Sequence, residues 1–313
     1  MGHTSKTKPL WTLLAEFVLA VLVVIGVPVA LHFPRATDKP LSAAELAQTR
    51  DFYARAYTGA AEDKPDPRQE IYVRVAELAA QEYKILEKVT EFVTRHQLGK
   101  GKILDVGAGR GQLQDLVGDY TGLDISSSAR RFYHKPFVQG SATAMPFQDN
   151  TFDAAWSVWV LEHVPNPEQM LREMRRVVKN GGLLYLRPAW DCTPWAAQGL
   201  DVRSYADLDW RGKLVKASIP PRRVLIGFSK PPIRLLRYLW IRGSRTPSTL
   251  HYTKLEPNYE KFMEPDSDAV NSLDRHETAL WFVSRGDECL NCGGAMSGVN
   301  DFEADSLVIR LKK

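Results

Sequence analysis

Three glycines at alternate positions follow an acid near residue 105, and this pattern could hold a small ligand. The acid is Asp105, and the glycines are Gly107, Gly109 and Gly111. Glycine adopts positive φ and lets a ligand approach the backbone, so an apolar run with this ending predicts a strand and a tight turn. We expect a helix from about Gln112, with its free N–H groups pointing at the ligand.

The spacing of this turn excludes two common phosphate-binding motifs. A dinucleotide-binding turn needs the pattern G-x-G-x-x-G, and position 112 is Gln rather than the third glycine. A P-loop ends in Gly-Lys-Ser/Thr, which does not follow here. The turn is therefore typical of neither motif.

Further motifs follow the turn in order. A second apolar run ends in Asp124, about 20 residues on, where Rossmann-like sheets place the carboxylate that binds ribose hydroxyls. The later segments are Gly140–Phe147, Asp149–Asp153, Val160–Val164, a predicted helix at 166–178, Asn180–Gly182 and Leu183–Leu186. From about Lys102 to Pro188, this set resembles the class I S-adenosylmethionine-dependent methyltransferases of the UbiE-like, type 11 family.

The resemblance implies S-adenosylmethionine as cofactor and a role for each motif residue. Asp105 would orient the methionine part, the three glycines would make room for methionine and ribose, and Asp124 would accept hydrogen bonds from the ribose hydroxyls. Many related enzymes have an acid where this chain has Ser141. Ser141 or a backbone group would then bond the adenine amine, with Ala142 and Met145 as apolar neighbours.

The acceptor side offers two candidate catalytic residues. A hydroxyl acceptor generally benefits from a general base, whereas an amine or a thiolate can react without one. His163 follows the fourth predicted strand, near the transfer region of the related enzymes, and a structural role is its competing interpretation. Asp191 follows the fifth predicted strand on the same side. Both stay open as the base.

The alternation of apolar and helical segments predicts an α/β fold. Strands are expected near 102–106, 120–124, 136–139, 153–158 and 182–187. They would form a Rossmann-like, doubly wound, mainly parallel sheet that binds ligands beyond the carboxyl ends of its strands. Two late segments, Ala279–Val283 and Ser306–Arg310, resemble the antiparallel strands that close this fold.

The three cysteines do not make a disulfide framework and suit a reducing compartment. Cys289-x-x-Cys292 has the spacing of half a zinc site, but a second ligand pair at finger spacing is absent. We therefore predict no metal and a reduced, structural or incidental cysteine pair.

The N-terminal segment Leu10–Leu31 is apolar, with Glu16 as its one charge. A helix of this length can cross the roughly 30 Å hydrocarbon core at about 1.5 Å per residue. A cleaved signal peptide is the competing interpretation, because Lys6 and Lys8 precede the apolar run. We predict an N-terminal membrane anchor, single-pass or re-entrant near Pro28, with the catalytic domain in the cytoplasm, where S-adenosylmethionine is available.

The segment at about 190–274 is predicted to be an insertion with an unusual charge. From Trp210 to Leu255 it has eleven Lys or Arg and no Asp or Glu, which leaves −7 for the rest of a chain of net charge +4. Wound as a helix, 233–242 has apolar residues on one arc and Arg234, Arg237 and Arg242 on the other. This pattern predicts a helix in a membrane interface. A helix packed on the domain is the main alternative, and a nucleic-acid surface is the least favoured.

The predicted organisation is a tail at 1–9, a transmembrane anchor at 10–33, a linker with helices at 34–98 and a methyltransferase domain at 99–313. The predicted function is a membrane-anchored methyltransferase that acts on a lipid, an isoprenoid or a lipid-linked sugar, with the lipid bilayer as partner. Two alternatives remain: a methyltransferase of a soluble small molecule, and a catalytically silent scaffold with the same fold.

Overall fold

The computed structural model describes residues 9–32, 36–40, 42–56, 67–244, 246–259, 266–292 and 305–313. The predicted tail up to residue 8, the charged loop at 57–66 and the part of the glycine-rich link at 293–304 lie outside these residues.

The described strands form a seven-stranded sheet and a small two-stranded sheet. The strands are β1 (Lys102–Val106), β2 (Asp119–Asp124), β3 (Phe137–Gln139), β4 (Phe152–Val158), β5 (Val178–Arg187), β6 (Thr253–Lys254), β7 (Asn271–Ser272), β8 (Glu288–Cys289) and β9 (Leu307–Arg310). The large sheet has the order β3-β2-β1-β4-β5-β9-β8, with β1 to β5 parallel and β9 antiparallel to both β5 and β8. The predicted Rossmann-like, mainly parallel sheet with an antiparallel last strand is confirmed.

The described helices pack on the sheet or on one another. They are α1 (Leu10–His32), α2 (Ala43–Ala56), α3 (Pro67–Glu82), α4 (Ile85–Arg95), α5 (Pro167–Val177), α6 (Trp210–Gly243) and α7 (Arg275–Val283). The cap predicted for α2 is present: the Ser42 N–H donates to the Glu45 carboxylate at 2.8 Å and the Glu45 N–H donates to the Ser42 hydroxyl at 3.2 Å. Helices α3 and α4 are separate elements, because Lys84 between them has a left-handed φ of 51°.

The strand predicted at Ala279–Val283 is wrong, because these residues belong to α7. Asp274 caps this helix by accepting hydrogen bonds from the backbone N–H groups of His276 and Glu277, at 2.8 and 3.2 Å. A short apolar run fits either a buried strand or a helix buried on all sides, and here the cap selects the helix. The outermost strand of the sheet is β8 instead.

The glycine turn leads into a single 3₁₀ turn rather than into the predicted helix. That turn covers Gln114–Leu116, and the Gln114 N–H donates back to the Gly111 carbonyl at 3.1 Å. Positive φ at all three glycines, between 50° at Gly109 and 75° at Gly107, keeps this part of the chain out of the helical region. The expectation of a ligand-binding helix N-terminus at about Gln112 is therefore wrong.

The apolar N-terminal segment forms α1, close to its predicted bounds, and α1 packs beside α6. Within the part of the chain that the structure describes, no helix combines the length and the apolar character that a membrane crossing requires. The predicted transmembrane anchor at 10–33 is therefore not supported.

Helix α6 is longer than the predicted segment, and its basic arc faces the protein. Arg234 donates to Asp274 at 2.7 Å, and Arg237 donates to Glu277 at 3.1 Å, so α6 is tied to α7 and its N-cap. The large apolar side chains of the opposite arc are exposed: Leu235, Leu236, Leu239 and Trp240. The central part of the helix thus turns Arg234 and Arg237 towards the protein and exposes its apolar face.

Cys289 and Cys292 form a disulfide at the end of β8, with their Cα atoms 5.6 Å apart. The disulfide contradicts a reduced pair and agrees with a structural one, because the turn after β8 brings the two side chains together. Cys192 is a buried free thiol.

Candidate active site

A cleft of about 700 Å³ lies at the carboxyl ends of β1, β4 and β5. The glycine turn and Asp105 line one side, and Arg187 lines the other. Residues 75–80 and 82–83, which precede β1 in the sequence, also line the cleft, as does His163. Parallel strands bring residues from distant parts of the sequence to one edge of a sheet, which is where such folds bind ligands.

Two of the three glycines make room for protein side chains. A Cβ on Gly107 would lie 2.2 Å from the Val160 side chain, and one on Gly111 would lie 2.9 Å from the Tyr133 ring. The Tyr133 hydroxyl also donates to the Gly109 carbonyl at 3.1 Å. Contacts within the protein therefore fix the turn, and the space beside Gly107 belongs to Val160.

Asp124 supports the same turn. Its carboxylate accepts the N–H groups of Gly109 and Ser126, each at 2.8 Å. Burial raises the pKa of Asp124, and these backbone donors oppose that rise. Asp124 is not among the residues that line the cleft, so its contact with a ribose stays a prediction.

Asp105 lines the cleft and carries an unusual carboxyl group. It is buried, and it accepts a hydrogen bond from the Tyr120 hydroxyl at 2.8 Å. Burial raises the pKa of Asp105 to about 7, although the Tyr120 hydrogen bond opposes the rise. A cation in the cleft would favour the ionised form, because opposite charges at short range lower the pKa of a carboxyl group.

The residues predicted to contact adenine lie after β3 and do not line the cleft. The Ser141 hydroxyl shares a hydrogen bond with Thr143 at 2.9 Å, and the Ser141 carbonyl accepts the Ala144 N–H. Met145 is buried in the core, and Ala142 packs against that core. Their contacts with a cofactor stay predictions.

His163 lies in a cluster of acids. Its Nδ1 is 3.4 Å from the Asp268 carboxylate, and its Nε2 is 3.9 Å from the Glu162 carboxylate. The Tyr53 hydroxyl donates to the same Asp268 carboxylate at 3.0 Å. Burial alone would lower the pKa of His163, but Asp268, Glu162 and Asp266 raise it above its usual value. An imidazole held in this way at a cleft can accept and release a proton.

The sequence did not point to Asp266 or Asp268 as parts of this site. Tyr53 and Asp268 are 215 positions apart and meet only in the fold. One signal was available, since Asp266 and Asp268 are closely spaced acids that follow the acid-free stretch from Trp210 to Leu255.

Asp191, the other predicted base, lies apart from His163. It pairs with Lys230 of α6 at 2.8 Å and is not among the residues that line the cleft. Its role as a base stays a prediction.

Arg187 is a second residue that the sequence did not single out. It ends β5, is 3% exposed and lines the cleft. Its Nη2 is 3.4 Å from the Asp305 carboxylate, and its Nη1 has no hydrogen-bond partner among the described residues. A charge at the last position of a buried strand was the available signal.

The match to a known family covers the central strands and the cleft. Residues 104–186 match the family model Methyltransf_11, described as a methyltransferase domain. This part of the chain matches a methyltransferase domain, and it is similar to the UbiE-like class I S-adenosylmethionine-dependent methyltransferases. S-adenosylmethionine is the cofactor of that family.

The methyltransferase domain is similar to several named proteins over part of their length. It is 41% identical over 80 residues to the ubiquinone/menaquinone biosynthesis C-methyltransferase UbiE of Hahella chejuensis, covering 25% of this chain and 32% of that protein. It is 30% identical over 94 residues to the sterol 4-C-methyltransferase strm-1 of Caenorhabditis elegans, covering 25% of this chain and 28% of that protein. The chain thus spans about a third of the length of these curated relatives.

Among solved structures, a SAM-dependent methyltransferase of Thermotoga maritima, titled a possible histamine N-methyltransferase, is 15% identical, with a TM-score of 0.40. The likeness covers 78% of this chain and 97% of that one.

The cleft of the methyltransferase domain fits this cofactor on one clear point. Asp105 lines the cleft with a buried carboxyl group, and its contact with the amino group of the methionine part stays a prediction. The donor supplies a methyl group on a positively charged sulfur. A buried carboxyl group next to a cationic ligand is a favourable pairing.

Proposed function

We propose that this protein transfers a methyl group from S-adenosylmethionine to an acceptor that reaches the cleft from a membrane surface. The observation that carries the transfer is that Asp105, the glycine turn and His163 all line one cleft. Holding two reactants in line can supply roughly 7–11 kcal/mol of the barrier. Positioning is therefore the main contribution of this chain.

His163 is the proposed base for a hydroxyl acceptor. Deprotonating the acceptor oxygen puts the positive charge of the imidazolium beside Asp268, which lies 3.4 Å from Nδ1. Asp268 is itself held by the Tyr53 hydroxyl. Carboxylates on this side of the cleft therefore stabilise the protonated imidazole as it forms.

The membrane part of the proposal rests on two neighbouring helices with exposed apolar side chains. On α1 these are Leu10, Trp11, Leu14, Phe17, Leu19 and Leu22. On α6 they are Trp210, Leu214, Phe228, Leu236, Leu239 and Trp240. Soluble proteins rarely expose contiguous apolar patches of this kind, and a lipid interface is one surface that would cover them.

The ends of α6 suit an anionic leaflet. Arg211 and Lys213 near its start and Arg242 near its end are exposed, whereas its central Arg234 is buried. Each exposed basic residue near such a leaflet contributes about 1 kcal/mol of binding. Because the anionic leaflet of most cells is cytoplasmic, we place the catalytic domain on that side.

A membrane-dissolved acceptor follows from the same surface. The two curated relatives are named for ubiquinone/menaquinone biosynthesis and for sterol methylation, and both kinds of molecule dissolve in membranes. We therefore propose a lipid, an isoprenoid or a lipid-linked sugar as acceptor.

Two measurements test the proposal in the full chain. Calorimetric titration with S-adenosylhomocysteine tests the cofactor site, and absence of binding would favour the silent scaffold. Flotation with phosphatidylglycerol vesicles tests the membrane surface. Leu236→Glu should abolish flotation, whereas Leu86→Glu, at a similarly exposed leucine on α4, should leave it intact. Equal flotation of both variants would favour a soluble acceptor.

A further inference from the structure

Arg187 is a buried charged group of the cleft that the proposed methyl transfer does not use. It is 3% exposed, and its ion pair with Asp305 is long, at 3.4 Å, to a side chain that is 64% exposed. Its Nη1 has no hydrogen-bond partner in the part of the chain that the structure describes. A buried charge with so little compensation is costly, and buried charges are normally paired.

One aromatic ring lies near this guanidinium, and two more line the same cleft. The Tyr83 ring lies 5.9 Å from the guanidinium, and Tyr83 and Trp159 meet edge to face with ring centroids 6.0 Å apart. Trp190 donates its indole N–H to the Asp305 carbonyl at 2.6 Å. All three rings line the cleft together with Arg187. An apolar body could pack on these rings while an anionic group reaches the guanidinium.

The position of Arg187 in the sheet separates it from the cofactor residues. Strand β4 lies between β1, which carries Asp105, and β5, which ends in Arg187. Two strand spacings make about 10 Å. Asp105 suits an amino group and Arg187 suits an anion, so the two sides of the cleft select opposite charges.

We propose that Arg187 binds an anionic group of the methyl acceptor, either a carboxylate or a phosphate, carried on an apolar body that packs on Tyr83, Trp159 and Trp190. The planar guanidinium can meet two oxygens of either group at once. This inference rests on the proposed methyltransferase function and narrows its acceptor to acids.

The test is calorimetric binding of matched probes to the full chain saturated with S-adenosylhomocysteine. The probes are 2-naphthoate, its neutral amide 2-naphthamide, 2-naphthyl phosphate and decyl phosphate below its micelle concentration. The wild type should bind the acids at least about tenfold more tightly than the amide, as expected for charge-assisted hydrogen bonds. Tighter binding of decyl phosphate indicates a lipid head group, and tighter binding of the naphthyl acids indicates an aromatic acid.

Arg187→Gln should remove the preference for acids and leave the amide affinity unchanged. Arg187→Lys keeps the charge without the planar fork and should retain part of the preference. Arg95 is an exposed residue of α4 that does not line the cleft, so Arg95→Gln should behave as the wild type. Thermal unfolding of each variant checks that it is folded.

Three results would overturn the inference: no binding of any probe, equal binding of acid and amide by the wild type, or a preference that survives Arg187→Gln. The S-adenosylhomocysteine affinity should stay within about twofold in Arg187→Gln. If Arg187→Gln weakened S-adenosylhomocysteine binding as much as acid binding, Arg187 would be assigned to the cofactor carboxylate instead. Failure of the wild type to bind S-adenosylhomocysteine at all would count against the proposed function itself.

Discussion

The two walls of the cleft are built in different ways. The proposed cofactor wall consists of Asp105 and the glycine turn 107–111. Asp124 supports this turn through a backbone hydrogen bond, and Gly107 packs closely against Val160. The acceptor wall consists of His163, Asp268 and Arg187, and it works through side-chain charges. The first wall should therefore respond to changes of shape, and the second to changes of protonation and charge.

The largest effect should come from the acceptor wall. His163→Ala removes the proposed base and should lower methyl transfer by about 10²–10⁴-fold, the usual contribution of a general base. S-adenosylhomocysteine affinity, measured by calorimetry, should barely change, because His163 does not touch the glycine turn. A variant that keeps more than about a third of the wild-type rate would remove His163 from the mechanism.

Asp268→Asn tests the role of His163 as the base through the pH dependence of the methyl-transfer rate. The base must be neutral to act, so the rate should rise with pH through the raised pKa of His163, above 6.5. Asp268 is the strongest of the carboxylates that raise this pKa, so its loss should move the rate profile to lower pH. Rates measured from pH 5.5 to 9 would show the shift, and an unchanged profile would mean that another group titrates.

The cofactor wall should respond to a single methyl group. Gly107→Ala would place a Cβ 2.2 Å from Val160 at a φ of 75°, whereas Gly181→Ala has a φ of 77° and nothing within 4 Å. Gly181→Ala, the control, should lower the free energy of unfolding by about 1 kcal/mol because of its positive φ. Gly107→Ala should lower it by about 1–3 kcal/mol more through overpacking. Chemical denaturation measures both. Equal losses would show that the packing of the turn against Val160 is unimportant.

Asp105→Asn should give the smallest effect. In the wild type, rising pH should lower the stability through Asp105 and raise the affinity for the cofactor. Asp105 holds its proton up to about pH 7 in the folded chain but only to about 3.8 when unfolded, so its contribution to stability falls as pH rises through this window. The melting temperature of the wild type should therefore fall relative to that of the variant as the pH rises from 5 to 8.

The same two proteins can be compared by their affinity for the cofactor product. Wild-type affinity for S-adenosylhomocysteine should increase from pH 6 to 8 as Asp105 ionises, and the variant should show a weaker, flat affinity. A parallel pH dependence in both proteins would separate Asp105 from the amino group of the ligand.

The difference between the walls also explains what the sequence could predict. β1 to β5 and the glycine turn follow from local patterns of apolar residues and glycines, and the structure has them near the expected positions. The contact between Asp268 and Tyr53 could not be found in this way, because it depends on the packing of segments 215 positions apart.

Local patterns also failed where packing overrode them. The apolar run in α7 was predicted to be a strand, and the cap at Asp274 makes it a helix. The basic arc of α6 was expected to face a membrane, but Arg234 and Arg237 find buried acids on the protein instead. A charge pattern gives the two faces of a helix, and only the partner element determines which face turns inward.

The most direct test of the central claim is transfer of a labelled methyl group. The full chain would be incubated with labelled S-adenosylmethionine and a membrane extract of the host, and the products would be divided between organic and aqueous phases. Asp124→Ala is the control, because it removes the acceptor of the Gly109 N–H and loosens the turn. We predict label in the organic phase that depends on Asp124. Label confined to the aqueous phase, or equal labelling by the variant, would contradict the account.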